Sequence, residues 1–159
     1  VSATGIGYDC HPFAAGRRLV LGGVEIPHER GLAGHSDADV LVHAIIDALL
    51  GAAALGDIGE HFPDTDERYR DVSSIELLRD VVAQLAERGL SIGNVDATVV
   101  IERPRLAPAR AEIRTTLADA LGLAVERVSV KATRGEGMGF VGREEGVAAL
   151  AVATLTSSR

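Results

Sequence analysis

The sequence predicts an α/β fold: one domain over residues 1–159, a sandwich in which a small mixed β-sheet carries helices packed on one face. The chain has 159 residues, the length of a single compact domain. Apolar residues make up 47% and charged residues 25%, the balance of an ordinary globular core and surface. Segments with strand-type and helix-type apolar spacing follow one another as β-β-β-α-α-β-α-β-β, which suits a sheet covered by helices.

"TGIGYDCHPF", residues 4–13, reads as a strand ending at Pro12. "RLVLGGVEIP" reads as two strands joined at Gly22-Gly23 in a hairpin. Ser36 opens the next helix, with Ser36-x-x-Asp39 as a capping box that has Asp in place of Glu. Its apolar pattern continues to Leu55, and Gly56 fits a stop. Residues 57–74 are polar and contain Pro63, hence a loop. A second helix follows, with Ser73 and Glu76 as capping box and Gly89 as terminator. "VDATVVIE" is a strand, "PARAEIRTTLADALG" a third helix and "VERVSVKAT" another strand. "RGEGMGFVGRE" is a glycine-rich loop. "GVAALAVATL" is a last strand or short helix: its alanines favour helix, its Val and Thr a strand.

Several classes are disfavoured. The net charge is −7, and two Tyr, three Phe and no Trp offer little for base stacking, so nucleic acid is not an expected partner. No apolar run reaches the roughly 20 residues that cross a bilayer. The one cysteine, Cys10, has no internal partner, and its alternate position on the first strand makes it a small buried filler. No signal peptide is visible, so a cytoplasmic setting is expected, or a plastid one for a processed precursor. Val1 in place of Met is consistent with a trimmed chain or with a piece of a longer precursor or fusion.

Three stretches carry chemistry. Asp39, His43 and Asp47 are spaced by four and share one helix stripe. Taken alone, His43 reads as a hydrogen-bonded core histidine, with Asp39 a cap and Asp47 solvated. Asp9 and His11 lie two apart on a strand and share a face, with Cys10 on the other. Together Asp9, His11 and His43 offer one carboxylate and two imidazoles, the three-ligand pattern of a catalytic zinc site with an open fourth position. In "KATRGEGMGFVGREEG", residues 131–146, glycines let the backbone approach an anion, and Lys131, Arg134 and Arg143 add positive charge. Glu136 there suits a hard cation beside a phosphate. The alternative for this loop is a flexible hairpin with solvated charges.

These stretches, with "GGVEIP", "GHSDADVLVHAIIDALLGAAALGDIGEHFPDTD" and "GNVDATVVIERPRL", resemble the 2-C-methyl-D-erythritol 2,4-cyclodiphosphate synthase family of the non-mevalonate isoprenoid pathway. The resemblance spans the whole domain. It implies a substrate, 4-diphosphocytidyl-2-C-methyl-D-erythritol 2-phosphate, whose 2-phosphate attacks the β-phosphorus of its own diphosphate and expels CMP. It implies a homotrimer with active sites between neighbouring subunits. By the resemblance one Zn2+ per subunit is held by Asp9, His11 and His43, and Mg2+ or Mn2+ on the diphosphate by Glu136. His35 and Ser36 meet the substrate near the transferred phosphate, at the helix N-terminus. Asp57, Ile58, Gly59, Phe62, Pro63, Asp64, Thr65 and Asp66 match contacts on the erythritol side. Ile101, Pro104, Arg105, Leu106 and Ala107 match the loop that holds cytosine. Thr133, Arg134 and Gly135 precede Glu136 on the phosphate side. Tyr8, Phe140 and Arg143 match the lining of a cavity on the trimer axis with room for an isoprenoid diphosphate.

The chain departs from the family pattern in two places. Arg134 stands where a second threonine, assigned to transition-state stabilisation, is usual. "VGREEG" replaces the commoner "TGRGEG", with Arg143 and Glu145 kept. Two other readings of the residues stay open: a metal-dependent phosphodiesterase or pyrophosphatase with water as attacker, and a non-catalytic trimer that binds isoprenoid diphosphates.

Overall fold

The computed structural model describes residues 2–157, and its centre is a long strand with a buried helix laid directly on it. Strand β1 runs Ser2–Ala14 and helix α1 runs Val40–Ala52. Gly5 and Gly7 face α1. A Cβ on Gly7 would overlap the carbonyl oxygen of Ala44, and one on Gly5 that of Ala48. Only glycine lets backbone approach backbone this closely. The two-residue period of the strand carries the same face on to Asp9 and His11. Packing at the glycines therefore brings His43 of α1 against those two side chains.

The main sheet has five strands in the order β4-β1-β7-β5-β6, with β4 Gly31–Leu32, β5 Leu90–Val100, β6 Val128–Thr133 and β7 Gly146–Ser157. β5 and β6 are parallel and the other neighbours antiparallel, so the sheet is mixed. Helices α3 (Ser74–Glu87) and α4 (Arg110–Leu121) share one core with α1 and the inner side chains of β5 and β7. A separate hairpin, β2 (Leu19–Leu21) and β3 (Val24–Ile26), turns at Gly22-Gly23, whose φ of 60° and 75° is the left-handed pair a two-residue turn requires. Among the described residues, none of α1, α3 and α4 packs on the opposite sheet face. Ile6 is 70% exposed, and Tyr8, Leu150 and Val152 are exposed beside it, paired across β1 and β7.

Several expectations are corrected. Helix α1 begins at Val40, with Asp39 and not Ser36 as its cap; Ala38 takes a left-handed φ of 56° that interrupts a helix starting earlier. Asp39 is 0% exposed and accepts from the backbone N–H groups of Val42, Gly22 and Gly23, so it pins the hairpin turn to the helix end. Burial and the charge of Asp37 push its carboxyl up to about 6 against the pull of those three donors. Helix α1 ends at Ala52, three residues before Leu55, because Ala54 turns left-handed. Ser73 makes no side-chain cap for α3, and Glu76 pairs with Arg79 instead. The stretch after Gly56 holds a short helix, α2 (Ile58–His61), and a 3-10 turn at Glu67–Tyr69. β1 continues past Pro12, changing partner from β7 to β4. Cys10 is exposed on the uncovered sheet face and is not a core filler. "GVAALAVATL" lies in β7: its alternate residues pack inward, where alanines leave room for α1. The glycine-rich loop contains one further helical turn, α5 (Gly139–Gly142).

Candidate active site

Asp9, His11 and His43 converge. Asp9 Oδ2 lies 2.9 Å from His11 Nε2 and 3.0 Å from His43 Nδ1, and the two ring nitrogens are 3.2 Å apart. Both rings use their other nitrogen elsewhere. His11 Nδ1–H donates to the carbonyl of Ala33 at 2.9 Å. His43 Nε2 lies 2.8 Å from Ser74 Oγ, with Ser36 Oγ farther off at 3.2 Å. With their inward nitrogens free of protons, as metal binding requires, the rings would turn two lone pairs toward each other and toward a carboxylate. Three acceptors facing one point need a positive charge between them, and one carboxylate with two imidazoles is a zinc-type donor set. Burial raises the Asp9 carboxyl, but the hydrogen bonds and charge of His11 and His43 outweigh it and hold it at about 2. Burial lowers His11, but Asp9 outweighs it and the net shift is upward. Both directions report a site that is favourable for added positive charge.

The triad opens into a cavity of about 370 Å³ that is also lined by His35, Ser36, Ile58, Gly59, Phe62 and Asp64. His35 Nε2–H donates to the carbonyl of Asp66 at 2.9 Å, and its own carbonyl accepts from Asp71 N–H. Asp47 is not merely solvated: Oδ1 accepts from Ile58 N–H at 2.8 Å and holds the Asp57–Gly59 segment at the cavity edge. Asp57 caps α2 through Glu60 N–H. Pro63 and Thr65 belong to the same connection but do not line the cavity. His35 and Ser36 lie four to five residues before α1, so its N-terminus does not point through them.

A second cavity, about 490 Å³, is lined by Ile101, Pro104, Arg105, Leu106, Ala107, Thr133 and Arg134, together with His28, Glu102 and Arg103. It shares no lining residue with the first. Glu102, whose side chain is 8% exposed, accepts from Arg134 at 2.9 Å and from Gly135 N–H at 2.8 Å. Its neighbour Arg103 forks onto Glu144 at 2.7 and 2.8 Å. Residues 102 and 103 therefore hold the two ends of the glycine-rich loop. Glu144, at a φ of 58°, occupies backbone that suits the glycine usual there. Glu136 is exposed, and Arg143 pairs with Glu145; with Gly135 and Phe140 they line neither cavity. The sequence assigns no role to Asp37, Ser74, His28 and Tyr69, and it places Glu102 and Arg103 only within the cytosine-holding loop; Ser74 lies one residue from the cap expected at Ser73.

The sequence profile of the YgbB family matches residues 2–156. The chain belongs to the YgbB family. Its YgbB domain is 60% identical over 154 residues to 2-C-methyl-D-erythritol 2,4-cyclodiphosphate synthase of Salinibacter ruber, covering 97% of this chain and 98% of that one. It is 63% identical over 153 residues to the bifunctional enzyme IspD/IspF of Anaeromyxobacter dehalogenans, covering 96% of this chain. The chain spans 39% of the length of that bifunctional relative. Among solved structures, the CDP complex of IspF from Plasmodium falciparum superposes with a TM-score of 0.87 at 29% identity, over 99% of this chain and 97% of that one. The YgbB fold therefore has the mixed five-stranded sheet and helices described above. No helix among the described residues is long and apolar enough to cross a membrane.

Proposed function

We infer that the chain converts 4-diphosphocytidyl-2-C-methyl-D-erythritol 2-phosphate into 2-C-methyl-D-erythritol 2,4-cyclodiphosphate and CMP, in non-mevalonate isoprenoid biosynthesis. The observation that carries this is the convergence of Asp9, His11 and His43 in a chain matched over 97% of its length by a synthase of that name. An oxygen of the 2-phosphate bonds to the β-phosphorus, the bond from that phosphorus to the CMP oxygen breaks, and CMP leaves with the electron pair. The substrate supplies its own nucleophile, so the protein's work is positioning and charge neutralisation. Zn2+ held by Asp9, His11 and His43 supplies Lewis acidity and a template for phosphate oxygens. His35 and Ser36 place hydrogen-bond donors beside that site. Glu136, with Mg2+ or Mn2+, and the donors of Thr133, Arg134 and Gly135 serve the diphosphate. Ile101 and Pro104–Ala107 hold the cytosine, in keeping with the CDP bound by the Plasmodium falciparum relative.

Two observations support a homotrimer. The triad cavity and the Ile101–Ala107 cavity are separate within one copy, so one active site is completed by a neighbour. The uncovered face around Ile6, Tyr8, Leu150 and Val152 is an apolar surface suited to contact between copies. Tyr8, Phe140 and Arg143 line the axial cavity proposed for an isoprenoid diphosphate. The unpaired Cys10 suits a reducing compartment, and we place the chain in the cytoplasm. Phosphorus NMR of the reaction tests the chemistry. Cyclisation yields CMP and a cyclic diphosphate; a linear phosphate product would make the chain a hydrolase instead.

A further inference from the structure

We propose that Ser74 and Asp37 are positioning residues that fix which nitrogen of His43 faces the metal site. The proposal rests on the zinc reading of the Asp9, His11 and His43 set. Ser74 is 0% exposed and is the first residue of α3. Its Oγ lies 2.5 Å from Asp37 Oδ1 and 2.8 Å from His43 Nε2. A serine hydroxyl has one proton and two lone pairs. Asp37 is the acceptor in each of these contacts: Oδ1 also takes Asp39 N–H at 3.1 Å, and Oδ2 takes Ser74 N–H at 3.0 Å. The Ser74 proton therefore goes to Asp37, and Ser74 Oγ can only accept from His43. That places the His43 proton on Nε2 and leaves the Nδ1 lone pair for the cation, 3.0 Å from Asp9. The result is a carboxylate–serine–histidine line drawn from three elements: the loop before α1, the start of α3, and α1 itself.

Ser36 Oγ, farther from His43 Nε2 at 3.2 Å, accepts Ala38 N–H and keeps both its own proton and a lone pair, so it does not by itself dictate which way the ring bond runs, whereas Ser74, nearer at 2.8 Å, has given its proton to Asp37. A purely structural role is a distinct alternative. Asp37 also caps α3 from outside the helix, through Ser74 N–H, and this accounts for the unused side chain of Ser73. That cap survives in Ser74→Ala, because the backbone N–H remains. A capping role therefore predicts no change in metal affinity for Ser74→Ala, and a positioning role predicts a large one. Removing the hydrogen-bonded partner of a ligating histidine typically weakens metal binding by about 10–100-fold.

The test measures Zn2+ affinity by competition with a chromophoric chelator for the full chain, Ser74→Ala and Ser74→Thr, and melting of each protein. Ser74→Ala should lose about tenfold or more in affinity while still folded, and Ser74→Thr, which keeps the hydroxyl, should recover most of it. Nitrogen-15 NMR of the Zn2+-loaded wild type gives a reading that needs no variant to fold. It should show His43 bound through Nδ1, with a slowly exchanging Nε2 proton. Zinc on Nε2, or Ser74→Ala binding Zn2+ as tightly as wild type, overturns the proposal alone. A wild-type chain without Zn2+ affinity overturns it together with the zinc reading.

Discussion

His11 Nε2 and His43 Nδ1 face each other at 3.2 Å, while the other nitrogen of each ring lies within hydrogen-bond distance of a different oxygen, Ala33 O for His11 and Ser74 Oγ for His43. Two imidazole lone pairs at that distance, with the Asp9 carboxylate beside both, repel unless a cation or protons lie between them.

His43→Ala should abolish zinc retention and turnover while the chain stays folded. The helix bearing His43 is held by the apolar side chains around it, from Val40 to Leu50, so one ring can be removed. Elemental analysis of the purified variant decides the matter, and one zinc per chain would remove His43 from the ligand set.

Gly7→Ala should destabilise far beyond an ordinary surface change, since its methyl group meets the carbonyl of Ala44 in α1. Overpacking typically costs about 1–3 kcal/mol, and backbone cannot yield as a side-chain tip can. Chemical denaturation should show at least this loss, with weaker zinc binding as α1 lifts from Asp9 and His11.

Asp39 gives the fold a pH signature. Burial lifts its carboxyl to about 6, above the ordinary 3.8 of the unfolded chain. Between about pH 4 and about pH 6 the folded state therefore holds a proton that the unfolded state has lost. Stability falls as pH rises through that window. Urea midpoints measured across it should decline in wild type relative to Asp39→Asn, which lacks the titration. Parallel profiles would mean that the three N–H donors keep Asp39 ionised throughout.

Arg134→Ala should lower kcat by about 10²–10³, the usual loss on removing one preorganised donor to a transition state. Zinc content and CMP binding should stay near normal. Arg134 is held by Glu102 at 2.9 Å, so Glu102→Ala should lower kcat in the same direction by freeing the guanidinium and Gly135 N–H together. A silent Arg134→Ala would leave Thr133 and backbone donors to serve the diphosphate.

The triad was legible because strand and helix periods act locally. Asp9 and His11 are two apart, His43 sits in an apolar run, and the joining of the two segments follows from glycines that sequence reading took only as part of a strand. Helix starts were less legible, because they were decided by distant partners. The sequence offers both Ser36 and Asp39 as caps; Asp39 takes the place, its carboxylate also holding Gly22 and Gly23, and Ser73 yields its role to Asp37. Cys10 was misplaced for a related reason: alternation shows that it faces away from Asp9, but not whether that second face is covered. Glu102 and Arg103 looked like part of a base-binding loop, and only the fold shows them gripping both ends of the glycine-rich segment.

We propose that each active site is shared between two copies of the chain. Anomalous diffraction at the zinc edge, from crystals grown with CMP, tests it most directly. It should show one zinc peak per chain among Asp9 Oδ2, His11 Nε2 and His43 Nδ1. CMP should lie in the Ile101–Ala107 cavity of the neighbouring copy, its phosphate directed at that peak. Zinc bound elsewhere, or CMP seated in a copy whose neighbours bring no triad near it, would contradict the account.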